Sequence, residues 1–368
     1  MNLKFNDLGK QWEEIREGAI SDLDSIGHAG SYIGGKDIDL FEKKFSDYIG
    51  VEYSVGVSNG TDALKMALRL FNLSELDVVI IPANTYIADY IAAKQLTTSP
   101  RIVLVDHDET YCIDTESLNN FMGGNRYKYR KAVVIPVHLY GYACDMTRIM
   151  ELSQKWEFEV LEDCSQSHGT LWNGQHTGTF GSVAIFSLYP GKNLGAIGDA
   201  GIICTNNEEY AKRLKMLRNY GSKLKYYYVD MGYNHRLDTI QAAFLSRKLD
   251  RLNDWTEAKR KIAERYLSEI KGVILPIIRD NCKHSFHVFC IQVENRDRFM
   301  EEMGKRGIPT LIHYPIPIHM TDVFDKNTDL VWSSKNTDLL KDKIVSIPIH
   351  PFLTEEEVSF VIKSINEI

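Results

Sequence analysis

Long apolar runs are missing from this 368-residue chain. No stretch reaches the roughly 18 apolar residues that a membrane-spanning helix needs, and the opening MNLKFNDLGKQWEEI holds no apolar signal core. The expectation is therefore a cytoplasmic protein without a membrane partner. No block of Lys and Arg is long enough to track a phosphate backbone, and 43 basic residues against 50 acidic ones leave a net charge of -7. That balance argues against nucleic acid as a partner. Six cysteines, Cys112, Cys144, Cys164, Cys204, Cys282 and Cys290, never form a C-x-x-C pair, and most lie in apolar runs. They read as reduced core thiols, not as disulfides or a zinc site. Internal repeats and low-complexity linkers are absent as well.

What is present is a large core. With 44% hydrophobic residues, the length suits one big domain followed by a smaller one. Residues 8 to 25 alternate apolar and charged positions with helical spacing, GHAGSYIGG breaks the pattern with its glycines, and an amphipathic helix resumes from Asp39 to Ile49. Seven strand-like runs follow: YSVGV near 53, VVIIP near 78, RIVLVD near 101, AVVIPV near 132, FEVLED near 158, SVAIFS near 182 and GIICT near 201. Most are β-branched and lack strict alternation, as expected for strands covered on both faces. The fold class is α/β: a mostly parallel seven-stranded sheet between helices. A charged helical stretch from about Leu237 to Ile270 leaves this domain, and HSFHVFCIQV, RDRFMEEMGKRG and a Pro/His loop build a smaller α+β unit. The division reads as 1-250 and 251-368.

Several strand ends carry chemistry. Ala184 to Gly201 runs from an apolar strand into Pro190-Gly191-Lys192-Asn193-Leu194-Gly195, a turn that presents one lysine among glycines. Ser58-Asn59-Gly60-Thr61-Asp62-Ala63-Leu64 ends the first strand and opens a helix, whose free N–H groups and Thr61 hydroxyl suit a phosphate as well as a simple cap. Tyr86, in Pro82 to Ala88, ends the second strand, where doubly wound sheets form ligand crevices. Glu162 and Asp163 end a later strand, with Gln166 three residues on. His313 and His319 flank a Pro-rich loop, but two histidines held apart by prolines fall short of a metal site.

The turn around Lys192, together with SNGTDAL, PANTYIA and VLEDCSQSHG, resembles the DegT/DnrJ/EryC1/StrS family of sugar aminotransferases, and the likeness runs along nearly the whole chain. The resemblance implies an aspartate-aminotransferase-like fold (fold type I) and pyridoxal 5'-phosphate as cofactor. It gives Lys192 the covalent attachment of the cofactor and the proton shuttle. It gives Gly60, Thr61 and Ser187 the phosphate, Tyr86 the stacking ring, Asp163 the pyridinium nitrogen and Gln166 the ring hydroxyl. Asn234, within Gly232 to Asp238, matches a segment that reaches the neighbouring subunit's phosphate, which implies a homodimer with shared sites. Tyr189, His313 and Tyr314 become candidates for touching the sugar or its pyrophosphate. His168 reads as a packed histidine and not as a base.

Within the family this turn, followed by Gly198-Asp199, is similar to that of enzymes acting at C3 of a nucleotide-linked 3-keto-6-deoxyhexose; Leu188 departs from the aromatic often found there. The implied reaction moves an amino group from glutamate, released as 2-oxoglutarate, to a dTDP-linked 3-keto-6-deoxyhexose, of the kind that serves lipopolysaccharide or O-antigen glycans. Enzymes on a UDP-linked 3-keto uronate or a C4-keto sugar are the near alternatives. A pyridoxal-phosphate sugar dehydratase would carry histidine at position 192, and a non-enzymatic binding module has no need of Asp163, Gln166, Ser187 and Lys192 together.

Overall fold

The structure, a computed structural model, describes residues 3–368. All seven strand-like runs are strands: β1 (Tyr53–Val57), β2 (Val78–Pro82), β3 (Arg101–Val105), β4 (Ala132–Val134), β5 (Glu159–Asp163), β6 (Val183–Ser187) and β7 (Gly201–Thr205). Further along lie β8 (Phe289–Gln292), β9 (Leu330–Val331) and β10 (Ile344–Ile347). The main sheet has the order β1-β7-β6-β5-β4-β2-β3-β9. Only β7 runs against its neighbours; the other pairs are parallel. Its eighth strand, β9, comes from the C-terminal part and pairs Leu330 and Val331 with Val103 and Leu104. Two residues give no periodicity to read, so the seven-strand expectation stops one short.

Alternate residues of the central strands face opposite cores, as the pleat requires. Val79, Ile81, Ile102, Leu104 and Val133 pack on one side, and Val78, Ile80, Val103, Val105 and Val134 on the other. Each such side chain contributes about 1.5–3 kcal/mol when fully buried, which is why these runs read as continuous apolar stretches. Helices α3 (Gly60–Leu70), α4 (Ala88–Lys94) and α7 (Glu208–Leu217) cover the first face, and α5 (Thr115–Asn125) and α6 (Met146–Trp156) the second. The N-terminal α1 (Leu8–Ala29) and α2 (Lys36–Ile49) pack on α8 (Thr239–Leu249). All six cysteines are buried and free.

The helical stretch after Leu237 is two helices, α8 and α9 (Leu252–Glu269), broken at Asp250–Arg251. The break lets α8 stay with the sheet while α9 sends Ile262, Ala263 and Tyr266 into a separate core with the antiparallel β8–β10 pair, α10 (Arg296–Lys305) and α12 (Glu355–Asn366). α12 opens with a capping box between Thr354 and Glu357. The N-terminal Leu3 packs in this same small core. Between β9 and β10 runs α11 (Lys335–Leu340), whose Leu340 returns to the first core.

β1, β2, β5 and β6 share one direction, so their carboxyl ends meet at one edge of the sheet. Beside them, at β4–β2–β3, the strand order reverses, the place where an open α/β sheet leaves a crevice.

Candidate active site

At that edge opens a cleft of about 850 Å³. Gly60, Thr61, Tyr86, Asp163, Gln166, Ser187, Tyr189, Lys192, His313 and Tyr314 all line it. Asn234 does not: it is exposed, outside the cleft of its own chain, in an isolated bridge with Asn219.

One pole of the cleft is the start of α3. Asn59 caps the helix by accepting from Asp62 N–H at 2.8 Å. Among the described residues, the N–H groups of Gly60 and Thr61 have no acceptor within the chain, as first-turn amides do. A Cβ on Gly60 would lie 2.7 Å from the Ser187 Cβ, so only glycine lets the helix end approach the end of β6. Together these amides, Thr61 and Ser187 make an anion cradle. Asp62 stands beside it: burial pushes its carboxyl up, but hydrogen bonds and charge from Ser58, His235 and Lys65 prevail and hold it low.

The other pole is acidic. Asp163 ends β5 and accepts from Ser165 N–H at 2.8 Å. Gln166 is fixed at both ends of its amide: Oε1 accepts from Tyr140 N–H at 2.8 Å and Nε2 donates to the Tyr314 hydroxyl at 2.9 Å. One Nε2 hydrogen remains for a ligand. Tyr86, 54% exposed, lies 5.6 Å from the Tyr314 ring, close enough for the two aromatics to line one wall. Tyr140 fixes the far side of that wall, donating its hydroxyl to the His313 carbonyl. His313 in turn shares a 2.7 Å hydrogen bond with Ser346; burial and the nearby Lys192 push it down to about 4, so it is neutral at physiological pH. Burial pushes the Tyr314 hydroxyl well up.

Lys192 lies between the poles. Its backbone N–H closes the turn on Tyr189 O at 2.9 Å, and Gly195 is required because a Cβ there would come within 2.3 Å of Pro190 O. Burial pulls the amine down to about 8 against the opposing charges of Asp163 and Asp89. Two further buried lysines brace this turn. Lys259 donates to Asn193 Oδ1 at 2.9 Å and to the His287 carbonyl at 3.2 Å, and Lys248 donates to the Gly195 carbonyl at 2.7 Å. Burial alone takes them to about 7 and about 8.

The structure adds residues that sequence reasoning passed over. Phe5 and Asn6 line the cleft, with Asn6 donating to Gly191 O at 3.4 Å; nothing in their polar surroundings marks them. His287, on the approach to β8, reads as part of a strand, yet it faces the cleft. Ser165 sits inside a stretch already singled out, between Asp163 and Gln166, and Asp89 lies one residue past the end of another, Pro82–Ala88. His168 is buried against Phe186, ring centres 5.2 Å apart. The buried trio His138, Glu162 and Cys164 has metal-like spacing, but its donors are in use. His138 Nδ1 accepts from Cys144 N–H, so its Nε2 donates to Glu162, which also accepts from the amides of Gly178, Phe180 and Gly181.

A lysine of lowered basicity between an anion cradle and a buried carboxylate, beside an open aromatic ring and at the carboxyl ends of a largely parallel sheet, defines a pyridoxal-phosphate enzyme of fold type I. Comparison with known proteins narrows the class. Residues 13–366 match the model of the DegT/DnrJ/EryC1/StrS aminotransferase family, and the chain belongs to that family of transaminases. It is 40% identical over 350 residues, 94% of this chain and 93% of the other, to a dTDP-3-amino-3,6-dideoxy-α-D-galactopyranose transaminase of Aneurinibacillus thermoaerophilus. It is 34% identical, over 96% of this chain and 94% of the other, to a UDP-N-acetyl-3-dehydro-α-D-glucosamine 3-aminotransferase of Acidithiobacillus ferrooxidans. The solved structure of NtdA from Bacillus subtilis with bound cofactor PMP superposes with a TM-score of 0.86 at 28% identity, covering 96% of this chain and 82% of that one.

The residues present fit the cofactor of this family. The Gly60–Ser187 approach leaves room that a Cβ would fill, Lys192 offers an amine of reduced basicity, and Asp163 supplies an anion at the opposite pole. No helix is long and apolar enough to cross a membrane among the described residues.

Proposed function

We propose that this aminotransferase transfers an amino group from glutamate to C3 of a dTDP-linked 3-keto-6-deoxyhexose, yielding a dTDP-3-amino-3,6-dideoxyhexose for glycan assembly. The observation that carries the reading is the 40% identity, over nearly the whole of both chains, to a transaminase whose product name places the amine at C3 of such a sugar. The cleft suits this chemistry. Its volume of about 850 Å³ lies within the range of ligand sites that take a cofactor and a substantial substrate.

The cofactor supplies an electron sink for the carbon that loses its proton. The chain does the rest. Gly60, Thr61 and Ser187 hold the phosphate, Asp163 keeps the ring nitrogen protonated by charge, and Gln166 turns its free N–H to the ring hydroxyl. Tyr86 stacks on the ring face. Lys192, with an amine near 8, is neutral often enough to attack a carbonyl and basic enough to carry a proton between donor and acceptor carbons. His313, neutral, and the Tyr314 and Tyr189 hydroxyls face the sugar and its pyrophosphate.

The active unit in this reading is a homodimer. Asn234 is exposed and does not line its own cleft, and the strands before it, Ser222–Leu224 and Tyr227–Tyr228, form an outlying hairpin. Tyr226, Tyr227, Tyr228 and Met231 are between 62% and 82% exposed in a single chain, an apolar area that a second subunit would cover.

A UDP-linked 3-keto sugar is the second reading, favoured by the likeness to the Acidithiobacillus enzyme, whose name also places the amine at position 3. Incubating the enzyme and glutamate with dTDP-3-keto-6-deoxyhexose, its 4-keto isomer and UDP-linked 3-keto sugars, then locating the new amine by NMR, separates these readings. Amination of the dTDP-3-keto sugar at C3 is expected; a product aminated only at C4 overturns the assignment.

A further inference from the structure

The reading above leaves Asn193 and Lys259 without a task, although they meet at the residue next to Lys192. Asn193 follows Lys192 in the chain, and its side chain is buried. Both ends of its amide are engaged. Nδ2 donates to the Ser285 carbonyl at 3.1 Å and to the His168 carbonyl at 3.3 Å, and Oδ1 accepts from Lys259 Nζ at 2.9 Å. The orientation is fixed: turned over, the amide would set its NH2 against the Lys259 amine and its oxygen against two carbonyls. Lys259, from α9, also donates to the His287 carbonyl at 3.2 Å.

Two of the segments that meet on Asn193 also furnish the cleft. His168 closes the stretch that begins with Asp163 and carries Gln166, and Ser285 leads to His287, which lines the cleft. α9 is fastened to both segments a second time, because Arg260 donates to the Gly169 carbonyl at 2.6 Å and to the His284 carbonyl at 2.9 Å. Both oxygens that Lys259 meets are neutral. An ammonium buried with no carboxylate among its acceptors is costly, and an apolar side chain of similar length would fill the space with less destabilisation. What only the lysine brings is its hydrogen bonds. We infer that Asn193 and Lys259 are positioning residues for Lys192. Lys259 holds the Asn193 amide, and the amide pins the chain beside the reacting amine, in register with the Asp163–Gln166 loop and with the wall at His287. A lysine side chain is long and flexible, so where its amine arrives depends on where its backbone is held. A misplacement of about 1 Å can change a rate by about 100-fold.

The inference rests on Lys192 being the amine that bonds the cofactor. Two measurements on cofactor-free protein separate position from binding. Pyridoxamine phosphate carries an amine where pyridoxal phosphate carries an aldehyde, so it binds without a bond to Lys192, and calorimetry reads that affinity. Pyridoxal phosphate with borohydride labels Lys192, and peptide mass spectrometry reads the initial rate. In Lys259→Met the labelling should slow about tenfold or more, while the affinity for pyridoxamine phosphate stays within about twofold of wild type. Asn193→Ala breaks the same node from the other side and should behave alike. The double variant should label no more slowly than Asn193→Ala alone, because Lys259 acts through that amide. Parallel losses in both measurements mean that the cleft as a whole has loosened; an unchanged labelling rate in Lys259→Met, or losses that add in the double variant, mean that Lys259 does not act through Asn193. Each of these overturns the inference. If Lys259→Met does not fold, Lys259→Gln, one bond too short to reach Asn193, is read in the same way. Label on another lysine in the wild type overturns the cofactor reading and this inference with it, whereas label on Lys192 at a rate the variants leave unchanged overturns this inference alone.

Discussion

The lowered basicity of Lys192 can be measured without substrate. An ordinary lysine, near 10.4, presents about one neutral amine in a thousand at pH 7.5. At about 8, about one in four is neutral, a gain of roughly 200-fold in reactive amine for the same Henderson–Hasselbalch relation. The perturbation is pH itself. Cofactor-free enzyme is mixed with pyridoxal phosphate and borohydride across pH 6.5 to 10.5, and the initial rate of label on the Lys192 peptide is followed by mass spectrometry, with Lys192→Ala as background. The rate should rise through a midpoint near 8 and then level. Asp163→Asn should move that midpoint lower, because the opposing charge that favours the ammonium is gone while the burial remains. A midpoint near 10.5, or one that rises when the carboxylate is removed, would refute the view that burial governs this amine.

Other outcomes follow from the same geometry. Asp163→Asn should keep the fold and bind cofactor but lose most turnover in a coupled glutamate assay, since an amide cannot hold the ring nitrogen's proton by charge. Gly60→Ala places a Cβ 2.7 Å from the Ser187 Cβ, costing about 1–3 kcal/mol of overpacking; calorimetry should read weaker cofactor binding, while Gly124→Ala, which meets nothing within 4 Å, should not. Lys192→Ala and Asn234→Ala proteins mixed under subunit exchange should regain part of the activity each lacks, and no recovery despite proven exchange counts against shared sites. Lys259 is depressed to about 7, so the folded chain gives up a proton that the unfolded one keeps up to about 10.4. Wild type should therefore gain about 3 kcal/mol over Lys259→Met between pH 6 and pH 9 in denaturant titrations.

Much of this site was legible because an α/β sheet puts its chemistry at strand ends, and strand ends can be found from β-branched runs. Gly60, Asp163, Ser187 and the turn of Lys192 all follow such runs within a few residues. The break at Asp250–Arg251 was hidden because charged helical periodicity continues across it; only the need for α9 to reach a second core sets the end of α8. Phe5, Asn6 and His287 reach the cleft through tertiary placement, from segments whose local pattern speaks of a coil and a strand.

The short strand β9 bears on how the chain is assembled in time. It closes the edge of the main sheet beside β3, and the residue before it, Asp329, accepts from Tyr90 OH at 2.8 Å and from Ile102 N–H at 3.0 Å. In sequence, Asp329 lies 227 residues from Ile102 and 239 from Tyr90. During synthesis, β3 emerges long before anything can cover its edge, and an uncovered parallel edge is a template for unwanted pairing. Residues 1-250 expressed alone would keep that edge open permanently. The part of the protein that holds nearly all the candidate catalytic groups thus leaves synthesis with a bare edge, which a two-residue strand made more than two hundred residues after β3 later covers.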